Sequence, residues 1–405
     1  MTAAGVLLII VGASLSVALA LWLRSSFCVV LFFYHLGASV FYWQYSLTNV
    51  ADAQGYYYYT SYASEFDLGS NFVQWLTAFF RDFFQASYLD LYMLYHLFGY
   101  AGLVILFHLG RNAFRAQQPE ETRHSPLLYA VCLLPGLNFW TSSIGKDGLV
   151  FLGVMCIMWS VVDATRRFPA LILGLCIVTM IRPHVGALLA ATCALSAALS
   201  SDMPVFWRIL IFATLAASVI GFLPYLARFV GVETLDQVGV ENGIGVRQAN
   251  NLEGGSSVDI RSYPLPLQVF TYLYRPLFDV RGILSVIESL MNIFLLSISV
   301  LLAPSIPRVL RAGPQAFYLR FNFFFFVAAT LVLATTTANL GIASRQKTMV
   351  LPCFLLLLLT GLATRRAAHA PSDAEATGDT DPPTEVNAPI PESVGMEPRE
   401  LGARS

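Results

Sequence analysis

AAGVLLIIVGASLSVALALWL, residues 3–23, carries no ionisable side chain, and Arg24 follows it at once. A helix rises about 1.5 Å per residue, so roughly 20 apolar residues match a bilayer core about 30 Å thick. No basic residue precedes the run, which is the reverse of a cleaved secretory signal, so it reads as a retained span. The same reading extends outward to runs near 27–45, 87–109, 126–141, 148–164, 168–182, 185–200, 208–226, 283–304, 321–337 and 348–364, eleven in all. The runs around Pro135 and Pro183 are the shortest. Composition agrees: 56% of residues are hydrophobic and 12% charged, where a soluble domain carries roughly 25% charge. The expected fold class is therefore an all-α polytopic membrane protein.

Net charge is −1 and no basic block occurs, so nucleic acid is set aside as a partner. The six cysteines all lie in apolar stretches, which argues against a disulfide framework. No His/Cys group has zinc-ligand spacing. From about residue 370 the chain turns to Pro, Glu, Asp, Thr and Ala without periodicity, the composition of a disordered extension. The chain thus divides into a membrane domain over 1–365 and a tail over 366–405.

Short connections carry arginine: Arg24, Arg111, Arg115, Arg123, Arg166, Arg167, Arg208, Arg308, Arg311, Arg320, Arg365 and Arg366. The positive-inside rule places these in the cytoplasm, with the C-terminus. Segments 46–86, 142–147, 182–184, 227–282 and 338–347 then face outward. Both lysines of the chain, Lys146 and Lys347, fall in this outer set. Ionisable groups at membrane depth cost roughly 2.5–3.5 kcal/mol each on insertion scales, so those kept at span ends point to a charged substrate.

The first outer segment holds Asp52, then Tyr56, Tyr57, Tyr58, Tyr59 and Tyr62. Tyrosine rings offer apolar faces to sugar C–H groups and hydroxyls at the edge, and a carboxylate can take a proton from an attacking hydroxyl. An interfacial aromatic belt is the structural alternative. Residues 71–84 place apolar side chains at helical spacing, the pattern of an amphipathic helix in the interface. In 135–148, Pro135 and Gly136 break a helix, Ser and Thr satisfy the freed backbone, and Lys146-Asp147 opens the next span. Helix N-termini favour anions, so a lysine there suits a bound phosphate; pairing with Asp147 is the alternative. Arg182 of Arg182-Pro183-His184 has the fork geometry for phosphate, with His184 as a neutral donor or a structural residue. In 227–282, a Gly/Asn/Ser-rich stretch precedes an amphipathic one ending at Arg275, the pattern of a lid. Glu288 and Asn292 share a helix face and are expected to bond neighbouring helices. Arg345 and Lys347 stand just before the last span.

Taken in order, Asp52 with Tyr56, the stretch Phe139–Asp147, Arg182-Pro183, Gly254-Gly255-Ser256 with Arg275-Pro276, and Arg345-Gln346-Lys347 resemble the bacterial GT-C glycosyltransferase superfamily and the related Wzy-type polysaccharide polymerases. The resemblance covers roughly residues 1–365. It implies a GT-C-like fold of about eleven spans with interfacial helices in the outer loops. It also implies an inner-membrane enzyme that takes a sugar from a polyprenyl-phosphate or diphosphate donor on the outer face, with Asp52 as the central acid. Many members have a second adjacent acid in that loop. Here Val50, Ala51 and Ala53 flank Asp52, so a divalent metal stays open and no cofactor is assigned.

The expected site has Asp52 as base. Lys146, Arg182, Arg275, Arg345 and Lys347 bind phosphate, and Tyr56, Tyr57, Asp147 and His184 contact substrate. The expected partners are a polyprenyl-phosphate-linked saccharide, membrane lipid and other polysaccharide-assembly proteins. A flippase for the same lipids, without chemistry, is the alternative.

Overall fold

A computed structural model of the chain describes residues 1–58, 66–117, 125–199, 256–311 and 316–368, with isolated residues between 204 and 248. Met1–Ala367 forms one compact unit. Several expectations lie outside the described residues: Tyr59 and Tyr62, most of the 208–226 span, most of the Gly/Asn/Ser-rich stretch including Gly254 and Gly255, and the tail beyond Ala368.

Among the described residues every regular element is helical. The helices are α1 (Ala3–Leu23), α2 (Phe27–Thr48), α3 (Asp52–Tyr58), α4 (Ser70–Phe83), α5 (Tyr88–Gln117), α6 (Pro126–Cys132), α7 (Pro135–Thr141), α8 (Lys146–Val161), α9 (Phe168–Ile181) and α10 (Pro183–Ala198). After the sparsely described stretch come α11 (Leu265–Tyr274), α12 (Ile283–Leu302), α13 (Ile306–Arg311), α14 (Ala316–Thr336) and α15 (Leu340–Ala368). Six helical segments are long and apolar enough to cross a membrane: α1, α2, α5, α12 continuing into α13, α14 and α15. The chain is an all-α protein with the helices of a membrane-embedded fold.

Two boundaries bear on the site. The 126–141 run is two helices, because Pro135 lacks the N–H that would continue α6. Asn138 stitches the break: its amide donates to the Cys132 and Leu134 carbonyls at 2.9 and 3.0 Å. The last helix begins at Leu340 rather than near 348, so Arg345 and Lys347 lie inside it. Both cations find partners on other elements, and this is what lets the helix keep them.

The chain's arginines lock helix ends. Arg167 donates to the Trp159 carbonyl of α8 at 3.0 Å, Arg320 to Leu199 after α10 at 2.5 Å, and Arg365 to Leu301 of α12 at 2.7 Å. Arg111 reaches Leu23 of α1 in the same way. Each meets the last, unpartnered carbonyls of a helix, where a cation is favoured by the helix dipole. At the opposite end of α1, Asp90 of α5 accepts from Thr2 N and Oγ1 at 2.9 and 2.7 Å and from Ser87 N at 2.8 Å.

Helix α4 is amphipathic as expected. It buries Val73, Thr77 and Ala78, with Thr77 Oγ1 2.8 Å from the Tyr95 hydroxyl. Its other face carries Phe72, Trp75, Phe79 and Phe83, with successive ring centroids 6.3, 6.2 and 5.5 Å apart. That aromatic row suits a lipid interface. Gly69 N donates to Met180 O of α9 at 2.8 Å and fixes the entry to α4.

Close helix approach sets the floor of the bundle. A Cβ on Gly99 would lie 2.3 Å from the Thr141 carbonyl and 2.6 Å from His35 Nε2. Gly99→Ala is therefore expected to destabilise the protein by about 1–3 kcal/mol through overpacking. A thermal unfolding series in detergent checks this; an unchanged midpoint would show that α5 and α7 do not meet at this position.

Candidate functional site

Four sequence-distant segments deliver charged side chains to one place. The α7–α8 corner brings Lys146 and Asp147, the α9–α10 corner brings Arg182, α3 brings Asp52, and the first turns of α15 bring Arg345. The α7–α8 corner is built by hydroxyls: Thr141, Ser142 and Ser143 donate to the Leu137, Phe139 and Trp140 carbonyls at 2.7, 3.0 and 3.3 Å. Gly145 then turns the chain at φ 152°, a conformation that favours glycine. Asp147 sits in the first turn of α8, where the helix dipole favours an acid.

Asp147 is the centre. Its side chain is 3% exposed, and its two oxygens accept from Arg182 Nη2 at 3.0 Å and Arg345 Nε at 2.9 Å. Arg345 continues to Asp52, donating from Nη1 to Oδ2 at 2.6 Å. Asp52 is the open end of this chain of ion pairs, with its side chain 56% exposed. Trp140 lies under Arg345, with the guanidinium carbon 5.7 Å from the ring centroid, within cation–π range.

Two groups have unused donors. Lys146 makes no hydrogen bond or ion pair to a described residue, although Arg182, Asp147, Arg345 and Asp52 are its electrostatic neighbours. Arg182 Nε is buried without a hydrogen-bond partner. Three cations face two carboxylates here, leaving one positive charge in excess. Tyr56 is buried beside Gly145, where a Cβ would be 3.4 Å from its ring. Burial, with the neighbouring Asp52 carboxylate, pushes the Tyr56 phenol up to about 12, so it stays a hydrogen-bond donor at neutral pH.

Other expected site residues lie elsewhere. Lys347 is fully buried, with Nζ 2.8 Å from Asn292 Oδ1 and 3.5 Å from the Leu273 carbonyl. It ties α15 to α11 and α12. Asn292 bonds across to Pro276 O at 2.9 Å, so the Glu288/Asn292 face does bond its neighbours. Arg275 lines a separate cavity of about 600 Å³ with Phe270, Pro276 and Phe278. Tyr57 donates to Ala86 O at 3.2 Å and lies under Arg81 at 5.8 Å, joining α3 to α4 and α5. His184 occupies the first turn of α10, half-buried next to Arg182.

Beside the charged cluster opens a cleft of about 1010 Å³ between α2, α7, α12 and the start of α15. Phe33, Phe41, Phe139 and Trp140 are among its walls, and Phe33 and Phe41 are also exposed on the outer side of α2. Trp140 belongs to both places, facing Arg345 and lining the cleft. No charge or spacing pattern marks Trp140 in sequence.

Among the described residues no three His, Cys, Asp or Glu side chains gather as a metal site. Asp52 and Asp147 are bridged by Arg345, an arrangement made for a guanidinium. No family model matches the chain, and no curated protein or solved structure matches it.

Asp147→Asn leaves two arginines against a neutral buried amide, and breaking such a pair costs about 3–5 kcal/mol. Asp52→Asn removes a half-exposed partner and costs no more than about 1 kcal/mol. Unfolding midpoints of the two purified variants in one detergent should separate clearly, with Asp147→Asn far lower. Equal midpoints would refute the central place given to Asp147.

Proposed function

We propose that the protein transfers a sugar or oligosaccharide from a polyprenyl-phosphate or diphosphate donor to an acceptor hydroxyl, on the outer face of a bacterial inner membrane. The observation that carries this reading is the meeting of Asp52, Lys146, Asp147, Arg182 and Arg345 from distant parts of the chain, with a surplus positive charge. A phosphate has what the cluster lacks: oxygens for Lys146 and for the orphan Arg182 Nε–H. Preorganised donors aimed at the charge that grows on a leaving phosphate supply the largest part of many rate enhancements. The neighbouring cleft, apolar and aromatic, suits a lipid chain beside the charged cluster, apart from the phosphate that the cluster holds.

Asp52 is the residue best placed to take the acceptor proton, since it is the exposed carboxylate of the set. In the resting arrangement its Oδ2 is occupied, accepting from Arg345 Nη1 at 2.6 Å. A donor phosphate competes for the same guanidinium. As Arg345 turns to the phosphate, Asp52 Oδ2 is released to accept from the acceptor hydroxyl, so proton removal is tied to donor binding. Tyr56, a persistent donor, orients the sugar from the side. Asp147 stays with Arg182 and holds the frame.

The test is a transfer assay with purified protein, a lipid-linked saccharide and a hydroxyl acceptor. Asp52→Asn is expected to lower turnover about 10²–10⁴-fold, the usual contribution of a positioned base, while donor binding and the unfolding midpoint persist. Wild-type turnover in that variant would remove Asp52 from the chemistry. Lipid translocation without any transfer by the wild-type protein would replace the enzyme with a carrier.

A further inference from the structure

Glu288 is a carboxylate that the charged cluster does not use. It lies on α12 and lines the 1010 Å³ cleft. Trp140 Nε1 donates to its Oε1 at 3.3 Å, and Ser344 Oγ donates to its Oε2 at 2.6 Å. Both partners are neutral. An ionised carboxylate offers about four lone-pair positions, so two remain for a ligand.

The charged residues lining this cleft are Asp279, Arg281 and Glu288. Arg281 donates to Asp279 at 2.6 Å, so that pair is balanced at the mouth. Glu288 leaves the lining one negative charge. Lys347 is an electrostatic neighbour of Glu288, but it is fully buried on Asn292 and Leu273 O and does not line the cleft. Arg345 stacks on Trp140, does not line the cleft, and is paired with Asp147 and Asp52 when no donor is bound. An anionic headgroup seated here would meet a carboxylate whose electrostatic neighbour Lys347 is held on Asn292, while the cleft's own arginine, Arg281, is paired with Asp279.

We propose that the cleft is a binding site for a lipid with a neutral, hydroxyl-bearing head, and that Glu288 is its specificity-determining residue. The chain lies along Phe33, Phe41 and Ile287. The head stacks on Trp140 and donates a hydroxyl to Glu288, since an aromatic face beside an acceptor is the chemistry that recognises a sugar. This rests on the transfer reading in one respect: it makes the lipid the acceptor, arriving next to Asp52 on the far side of Trp140.

The experiment uses the full chain in phosphatidylcholine nanodiscs with no donor present, so it reads binding and not transfer. Two photoreactive probes with the same diazirine dodecyl chain are compared, one a β-glucoside and one a phosphate. Labelling is mapped by mass spectrometry. The glucoside is expected to label cleft peptides about tenfold more than the phosphate, a preference typical of one unfavourable charge contact. Glu288→Gln should raise phosphate labelling until the two probes are about equal. Ile287→Trp should fill the cleft and reduce glucoside labelling several-fold, about as far as a bulky wall residue excludes a chain. Equal or greater phosphate labelling in the wild type overturns the proposal, and so does a preference that survives Glu288→Gln. Loss of the preference with intact transfer rejects this inference alone; a persisting preference without transfer rejects the enzyme and keeps the site.

Discussion

One buried carboxylate organises the charged end of this protein. Asp147 accepts from Arg182 and Arg345 at once, and those arginines belong to elements far apart in the chain. Without it, two guanidinium groups would share a poorly solvated corner. With it, the α7–α8 turn, the α9–α10 turn and the start of α15 are held in a common frame. Charges buried in this way rarely add stability over a hydrophobic substitute. Their retention is better explained by what they position, here a half-exposed Asp52 and an uncommitted Lys146.

The arginines play two chemically distinct parts. Four of them cap the carbonyls of Leu23, Trp159, Leu199 and Leu301. Arg182 and Arg345 instead meet carboxylates. Helix α8 shows both in a single element: Asp147 in its first turn and Arg167 on its Trp159 carbonyl. This division gives the arginine-bearing connections a local structural reason, independent of any orientation rule. It also separates the site from the part of the protein that fixes helix ends.

Much of the architecture was legible because apolar run length and helix length are nearly the same quantity in a membrane fold. The break at Pro135, the hydroxyl-rich turn after Thr141 and the amphipathic helix at 70–83 all follow from local chemistry. The start of the last helix did not, since Arg345 and Lys347 read as loop residues until their partners are known. Those partners, Asp147, Asp52 and Asn292, are separated from them by most of the chain or lie on another helix. The same limit applies to Lys347 and Arg275, whose charge in sequence says nothing about which cavity or neighbour takes it. Glu288 was legible as a helix-bonding acid and Trp140 only as part of the Phe139–Asp147 stretch; that the indole bridges a cleft and a charged cluster depends on contacts between distant elements.

The bond between Asp90 and the beginning of α1 carries an implication for assembly. Helix α1 buries little of its surface, and its start is secured by a side chain 88 residues later in the chain. At ordinary synthesis rates of about 5–20 residues per second, the ribosome reaches that partner on the order of ten seconds after it has made α1. During that interval the first helix has α2 to pack on, with Gly12 against the Phe32 ring, but not α5. Its full docking therefore belongs to a late stage of biogenesis, after α5 has entered the bilayer.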